Sequence, residues 1–179
     1  MLWEMNSNIM VYPEIPNEIL QTIIDYYEKK NWDGIFILWG SHLGLPLFLE
    51  IEDELDDVEY FSLLGEVLGS NYFSDFKDEF LYLLNNPKRD IRKRIYLMNK
   101  DEQKVYNSLP DKGIIYRGST VNDTFGFSWT LDIDMAKRFA KRYPGATVLQ
   151  KGYYTKKDVI AFFEREKEIF INPVDVDTI

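Results

Sequence analysis

The sequence predicts an α+β protein in which a helical N-terminal region precedes a mixed β-sheet core. Two observations carry this expectation. Up to about residue 109 the apolar residues recur at the three-four spacing of a helix with one buried stripe, and beyond Gly113 they fall into short runs of strand length. Helices first and strands later is the order of an α+β chain, because a βαβ protein would alternate them. The composition agrees, since 45% hydrophobic and 16% aromatic residues are too many to stay solvated in a disordered chain. The expected organisation is one compact body, with a mainly helical region over 1–109 packed on a core over 110–179.

The elements follow in order. After an entry turn at 13–16, Ile19, Leu20, Ile23, Ile24 and Tyr27 mark a first helix with Asn17 as its cap. Residues 31–34 break it. The run 35–39 is apolar throughout, and periodicity leaves open a buried strand or a short buried helix. Gly40, Gly44 and Pro46 punctuate. The acid-dense segment 50–59 lacks the alternating ligands and turn glycine of a calcium loop, and reads as a solvated helix start. Phe61, Leu64 and Leu68 then mark one helix and Phe73, Phe76, Phe80, Leu83 and Leu84 another, with 69–71 between them. Five bases within 88–94 accompany an Ile91, Ile95, Met98 stripe, which reads as a wet-faced helix ahead of a contact with nucleic acid. A short helix over 101–109 ends at the turn 110–113.

The strands expected next are 114–117, 125–130, 146–149 with an extension to 153, 159–163 and 167–171. Between the second and third, a helix over 132–143 turns Leu131, Met135, Ala136, Phe139 and Ala140 inward. Asp132 caps it, and Pro144-Gly145 stops it.

Charge is uneven. Residues 1–87 hold 17 acids and 3 bases, net −14, and residues 88–179 hold 13 acids and 18 bases, net +5. The first half repels nucleic acid and suits a basic partner, the second attracts phosphates, and mutual attraction within one fold is the plainer account. No cysteine is present, so disulfides, thiolate chemistry and Cys-ligated zinc are excluded. With neither a leader-like start nor a membrane-length apolar run, the expected location is the cytoplasm of the producing or host cell, with no membrane partner.

The candidate site lies in the second half. Arg117 follows the apolar run 114–116 and precedes Gly118, so its guanidinium stands at a strand end where a ligand can come close. Arginine holds phosphate oxygens bidentately, although a surface ion pair explains a lone arginine equally well. Ser128 and Thr130 share one strand face, opposite Phe127 and Trp129, and such a hydroxyl pair can orient a carboxylate. Glu166 and Glu168 likewise share a face, where each raises the cost of ionising the other. A charged edge strand is the alternative. The sole histidine, His42, has no nucleophile motif to serve, and no phosphate-binding glycine loop occurs.

In this order the motifs Tyr116-Arg117-Gly118, Phe127-Ser128-Trp129-Thr130 with Ala136-x-x-Phe139-Ala140, and Glu166-Lys167-Glu168-Ile169 resemble the arginine-serine-glutamate class of the ADP-ribosyltransferase superfamily, over residues 114–171. The resemblance implies a mixed fold whose two facing sheets clasp NAD as substrate, without a metal. It implies that Arg117 holds the NAD phosphates or ribose and that Ser128 positions the catalytic Glu168. Glu166 would guide the acceptor, which in this class is usually arginine. Tyr116, Gly118, Thr130 and Phe139 would border the cofactor. Glu164-Arg165-Glu166 also fits a glutamate-x-glutamate string, and the apolar pair Ile169-Phe170 favours Glu168. Phe162 and Phe163 would belong to a loop facing the acceptor, or to the core. Trp129 replaces the usual middle threonine, and the interval from Arg117 to Ser128 is short for the family. The implied activity is mono-ADP-ribosyl transfer from NAD to a protein, as by an intracellular phage-type effector. Transfer to water would make the chain an NAD glycohydrolase, and a non-enzymatic acidic binder or inhibitor is the reading from another class.

Overall fold

A computed structural model of the chain describes residues 17–39, 44–68, 77–142 and 144–179. The chain divides into two compact units, the first ending at Leu83 and the second beginning at Leu84. Among the described residues no helix is long and apolar enough to cross a membrane.

The first unit is helical: α1 (Asn17–Glu28), α2 (Trp32–Trp39), α3 (Gly44–Ile51), α4 (Asp57–Leu68) and most of α5 (Lys77–Leu84). The ambiguous run 35–39 is helix. Ile35 is fully buried while Ile37 is exposed, as residues two apart on a helix must be, and the Asn31 side chain caps the first turn by accepting from the Gly34 amide. Gly44 and Pro46, expected to punctuate, open α3 instead. A proline in the first turn has no intrahelical amide to lose, so the pattern is compatible with helix. The acid-dense segment is a helix start only in its last residues, for its first two end α3 and Glu52–Glu54 form a 3-10 turn. The Asp56 carboxylate accepts from the Val58 and Glu59 amides at 2.8 and 2.9 Å, and Glu59 returns a bond to the Asp56 amide. Packed edges of Phe48, Tyr60 and Phe61 form the core, and the buried Tyr60 hydroxyl donates to the Leu83 carbonyl at 2.9 Å. Asn17 is the first helical residue, and Phe73, Phe76, His42, the turn 13–16 and the break 69–71 lie outside the described residues.

The second unit starts earlier than the expected boundary after residue 109, because residues 91–108 are bonded to its sheet. The Phe162 amide donates to the Met98 sulfur at 3.1 Å, and the Tyr106 hydroxyl donates to the Val159 carbonyl. The Lys156 ammonium donates to the Asn107 carbonyl. Residues Ile91–Leu97 wind as a 3-10 turn capped by Asp90, and the residues it buries are Leu97 and Met98, adjacent in sequence; Ile91 is exposed. The expected Ile91, Ile95, Met98 stripe does not form, since Met98 leaves the turn extended to reach the sheet. Helix α6 (Lys100–Ser108) has a full capping box between Asn99 and Glu102.

Six strands, β1 (Lys112–Thr120), β2 (Ser128–Thr130), β3 (Thr147–Thr155), β4 (Val159–Phe163), β5 (Glu168–Ile171) and β6 (Asp177–Thr178), form one sheet in the order β4-β5-β2-β1-β3-β6, antiparallel throughout. This is one continuous sheet where two facing sheets were implied, and β6, too short to show a period, was not anticipated. The continuity is uneven. β1 pairs with β3 from Lys112↔Thr155 to Thr120↔Thr147, but meets β2 only through Tyr116↔Thr130. Alternation from these registers puts Ile115, Trp129, Phe162 and Ile169, all buried, on one face. Ser128, Thr130 and Glu168 share the other face with α7 (Ile133–Arg142), which is capped as expected by Asp132 and buries Ala136.

Candidate active site

The adjacency β5-β2-β1 puts Glu168 and Ser128 on one sheet face beside β1, whose Arg117 leaves from the other face. Glu168 opens β5 directly opposite Thr130, and Ser128 stands on the same face, its hydroxyl bearing on the Glu168 carboxylate as a hydrogen-bonding group that favours ionisation. Burial pushes the Glu168 carboxyl above the usual carboxylate range; the Ser128 bond and the Arg117 charge pull it back, while the Glu166 charge pushes it further up. Three sequence-predicted residues therefore act on the carboxyl group of a fourth.

Glu166 does not share a strand face with Glu168, contrary to expectation. Glu164–Glu166 is a 3-10 turn and Lys167 takes the left-handed conformation, φ 48°, so that β5 begins only at Glu168. A left-handed residue other than glycine is held by its surroundings. Here the Lys167 amide donates to the Glu164 carbonyl, the Lys167 carbonyl accepts from the Leu131 amide at 3.0 Å, and the Lys167 ammonium reaches Asp132. Both ends of the turn are fixed as well. The Glu164 amide donates to Glu102, whose other oxygen caps α6, and the Glu166 carbonyl accepts from the Thr130 hydroxyl at 2.9 Å. The second glutamate-x-glutamate string, 164–166, thus lies on the turn, and the strand-borne carboxylate is Glu168.

Thr130 was expected beside the cofactor, but it is buried, and its oxygen also accepts from the Asp132 amide at 3.1 Å. Its hydroxyl joins the glutamate turn to the start of α7. Gly118 was expected to admit a ligand, yet its open side is filled by helix. A Cβ there would stand 1.9 Å from the Ala136 carbonyl oxygen and 2.6 Å from the Ala140 nitrogen. Its lack of a side chain lets α7 lie against β1. Tyr116 is half-buried on that same face, across from Thr130 and Lys151.

Arg117 has its side chain 13% exposed and leads away from the α7 face, but its guanidinium turns back between β1 and β2. Nη1 donates to the Ser128 carbonyl at 2.8 Å, where a backbone amide would serve had the strands stayed paired. Nη2 holds the Asp123 carboxylate at 2.7 Å, the ion pair that a lone arginine suggested. The Trp129 ring is buried on the opposite face, and its indole N–H donates to the Gly126 carbonyl at 2.9 Å, fixing the 121–127 loop over Arg117.

Phe139 is half-buried on α7, with the Arg142 guanidinium 4.5 Å above its ring and 3.8 Å from the Glu166 carboxylate. Phe162 and Phe163 stand on β4 rather than in a loop; Phe162 is core, and Phe163 meets Phe170 edge-on. Sequence reasoning missed Glu102, Asp123 and Arg142. Asn99-x-x-Glu102 is a capping-box signal, but its second bond to the Glu164 amide carries none. Among the described residues no group of three or more His, Cys, Asp or Glu could hold a metal ion. In comparisons with known proteins, no family model, curated protein or solved structure matches the chain.

Proposed function

We propose that the chain is a mono-ADP-ribosyltransferase that moves ADP-ribose from NAD to a protein side chain, arginine being the acceptor its second carboxylate fits, with release of nicotinamide. The single observation that carries this reading is the seating of Glu168, a half-buried carboxylate directly opposite Thr130 on the sheet face it shares with Ser128. Arg117 holds the NAD phosphates or ribose, with Tyr116 and Phe139 beside them. Glu168 accepts a hydrogen bond from the nicotinamide ribose. As the bond from ribose C1′ to the nicotinamide nitrogen breaks, its electron pair leaves with nicotinamide and positive charge grows on the ribose. A fixed carboxylate opposes that charge more strongly in the transition state than in the ground state, and so lowers the barrier. An acceptor nitrogen then bonds to C1′ and gives up one proton, with Glu166 holding the acceptor. The carboxylate must be ionised for this, and the Ser128 bond and the Arg117 charge favour ionisation against burial.

The test is incubation with NAD labelled on its adenylate phosphate and a cell lysate. Wild type labels a protein, and Glu168→Gln, folded by circular dichroism, does not. Equal labelling by the two rejects the reading, and nicotinamide release with no labelled protein replaces it with NAD hydrolysis.

A further inference from the structure

Arg117 and Gln150 are direct cross-strand partners on β1 and β3, so their side chains leave the sheet on the same face. Buried Nε of Arg117 and buried Oε1 of Gln150 are a donor and an acceptor, and each lacks a hydrogen-bond partner. Burying such a pair unsatisfied is costly, and the two atoms are complementary. They stay apart while the guanidinium is drawn toward β2 by the Ser128 carbonyl and by Asp123, which is 57% exposed at the surface of a loop whose residues 121–125 are all exposed. The Gly126 backbone lies against the guanidinium, and a Cβ there would fall 2.2 Å from Nη2.

We propose that Arg117 is a two-position anchor, parked on Asp123 in this structure and handed to Gln150 when a pyrophosphate-bearing ligand arrives. Asp123 is then a built-in competitor that occupies the guanidinium edge the ligand's phosphates require. Gln150 is a positioning residue: once the guanidinium leaves Asp123, Nε–H donates to Oε1, which fixes the fork facing the anion. The inference rests on Arg117 being the phosphate anchor of the proposed activity. It adds that the unliganded anchor is masked, and that the residue completing it stands on β3, outside the three motifs.

Inorganic pyrophosphate, titrated calorimetrically into the full chain, separates the two ideas. Asp123→Asn removes a half-exposed ion pair and should tighten binding about fivefold. Gly126→Ala leaves Asp123 in place but displaces the guanidinium, and should tighten binding in the same direction. Gln150→Met keeps the side-chain length without the acceptor, and should weaken binding about tenfold, in wild type and in Asp123→Asn alike. In the transfer reaction Gln150→Met should raise KM for NAD with kcat unchanged, which a general loss of structure would not do. Unchanged or weaker pyrophosphate binding by Asp123→Asn and Gly126→Ala overturns the two-position anchor, as does wild-type affinity in Gln150→Met. If Arg117→Gln binds pyrophosphate as well as wild type, the phosphate-anchor role itself fails, and both ideas go with it.

Discussion

Replacing Gly118 with alanine tests whether this residue serves helix packing or ligand access. The added methyl would stand 1.9 Å from the Ala136 carbonyl oxygen, where ordinary contact begins near 3.4 Å, so α7 must lift by about 1.5 Å. The obstacles are main-chain atoms of Ala136 and Ala140, so no rotamer change relieves the clash. Overpacking of this kind costs about 3 kcal/mol at its upper end. With a urea dependence of about 2 kcal/mol/M, the unfolding midpoint of the second unit should fall by about 1.5 M. Amide hydrogen exchange along 133–142 should quicken in step, because those residues lose their seat. Since α7 also carries Arg142 to Glu166, labelling from NAD should fall with stability. A variant with wild-type midpoint and wild-type exchange in α7, but weakened NAD binding, would restore Gly118 to the cofactor and refute the packing account.

Three further outcomes are expected. Burial raises the Glu168 carboxyl, so the folded protein holds that proton more tightly than the unfolded chain; the associated stability is complete below about pH 4.3, the unfolded value, and is lost as pH rises through the folded value. Glu168→Gln has no proton to lose, so its melting temperature should exceed that of wild type increasingly as pH rises above that range; a pH-independent offset counts against the burial account. Asn99→Ala and Glu102→Ala should each cost about 1 kcal/mol through the α6 cap, but only Glu102→Ala frees the Glu164 amide and should also slow transfer. Equal transfer rates would remove Glu102 from the support of the glutamate turn. Thr130→Val, which loses two hydrogen bonds in a buried position, should destabilise by about 2 kcal/mol in urea titration while Thr130→Ser stays near wild type; the reverse order would show that the hydroxyl is dispensable.

Much of this was legible where one local signal decides the outcome. The 159–163 strand is as expected, and α7 lies within a residue of its expected ends, because Asp132 and Pro144-Gly145 bracket an amphipathic run. Arg117, Ser128 and Glu168 were named from short motifs alone, and the structure sets those motifs on the adjacent strands β1, β2 and β5. What stayed hidden depends on partners distant in sequence or on backbone conformation. Nothing in Lys167 announces a left-handed residue, since lysine has no preference for it; the turn is imposed by Glu102, Thr130 and Leu131 from outside. Gly118 looked like an opening because a missing side chain reads the same whether helix or ligand fills the space. The boundary at Leu83 escaped notice because residues 91–108 have helical periods but sheet partners.

The lone rung Tyr116↔Thr130 makes Arg117 a fastener as well as a chemical group. Strand triplets β4-β5-β2 and β1-β3-β6 are stitched there by one residue couple and one guanidinium, with α7 packed across the join. Under the proposed activity, a ligand taking Arg117 would draw on the same guanidinium that bridges β1 to β2.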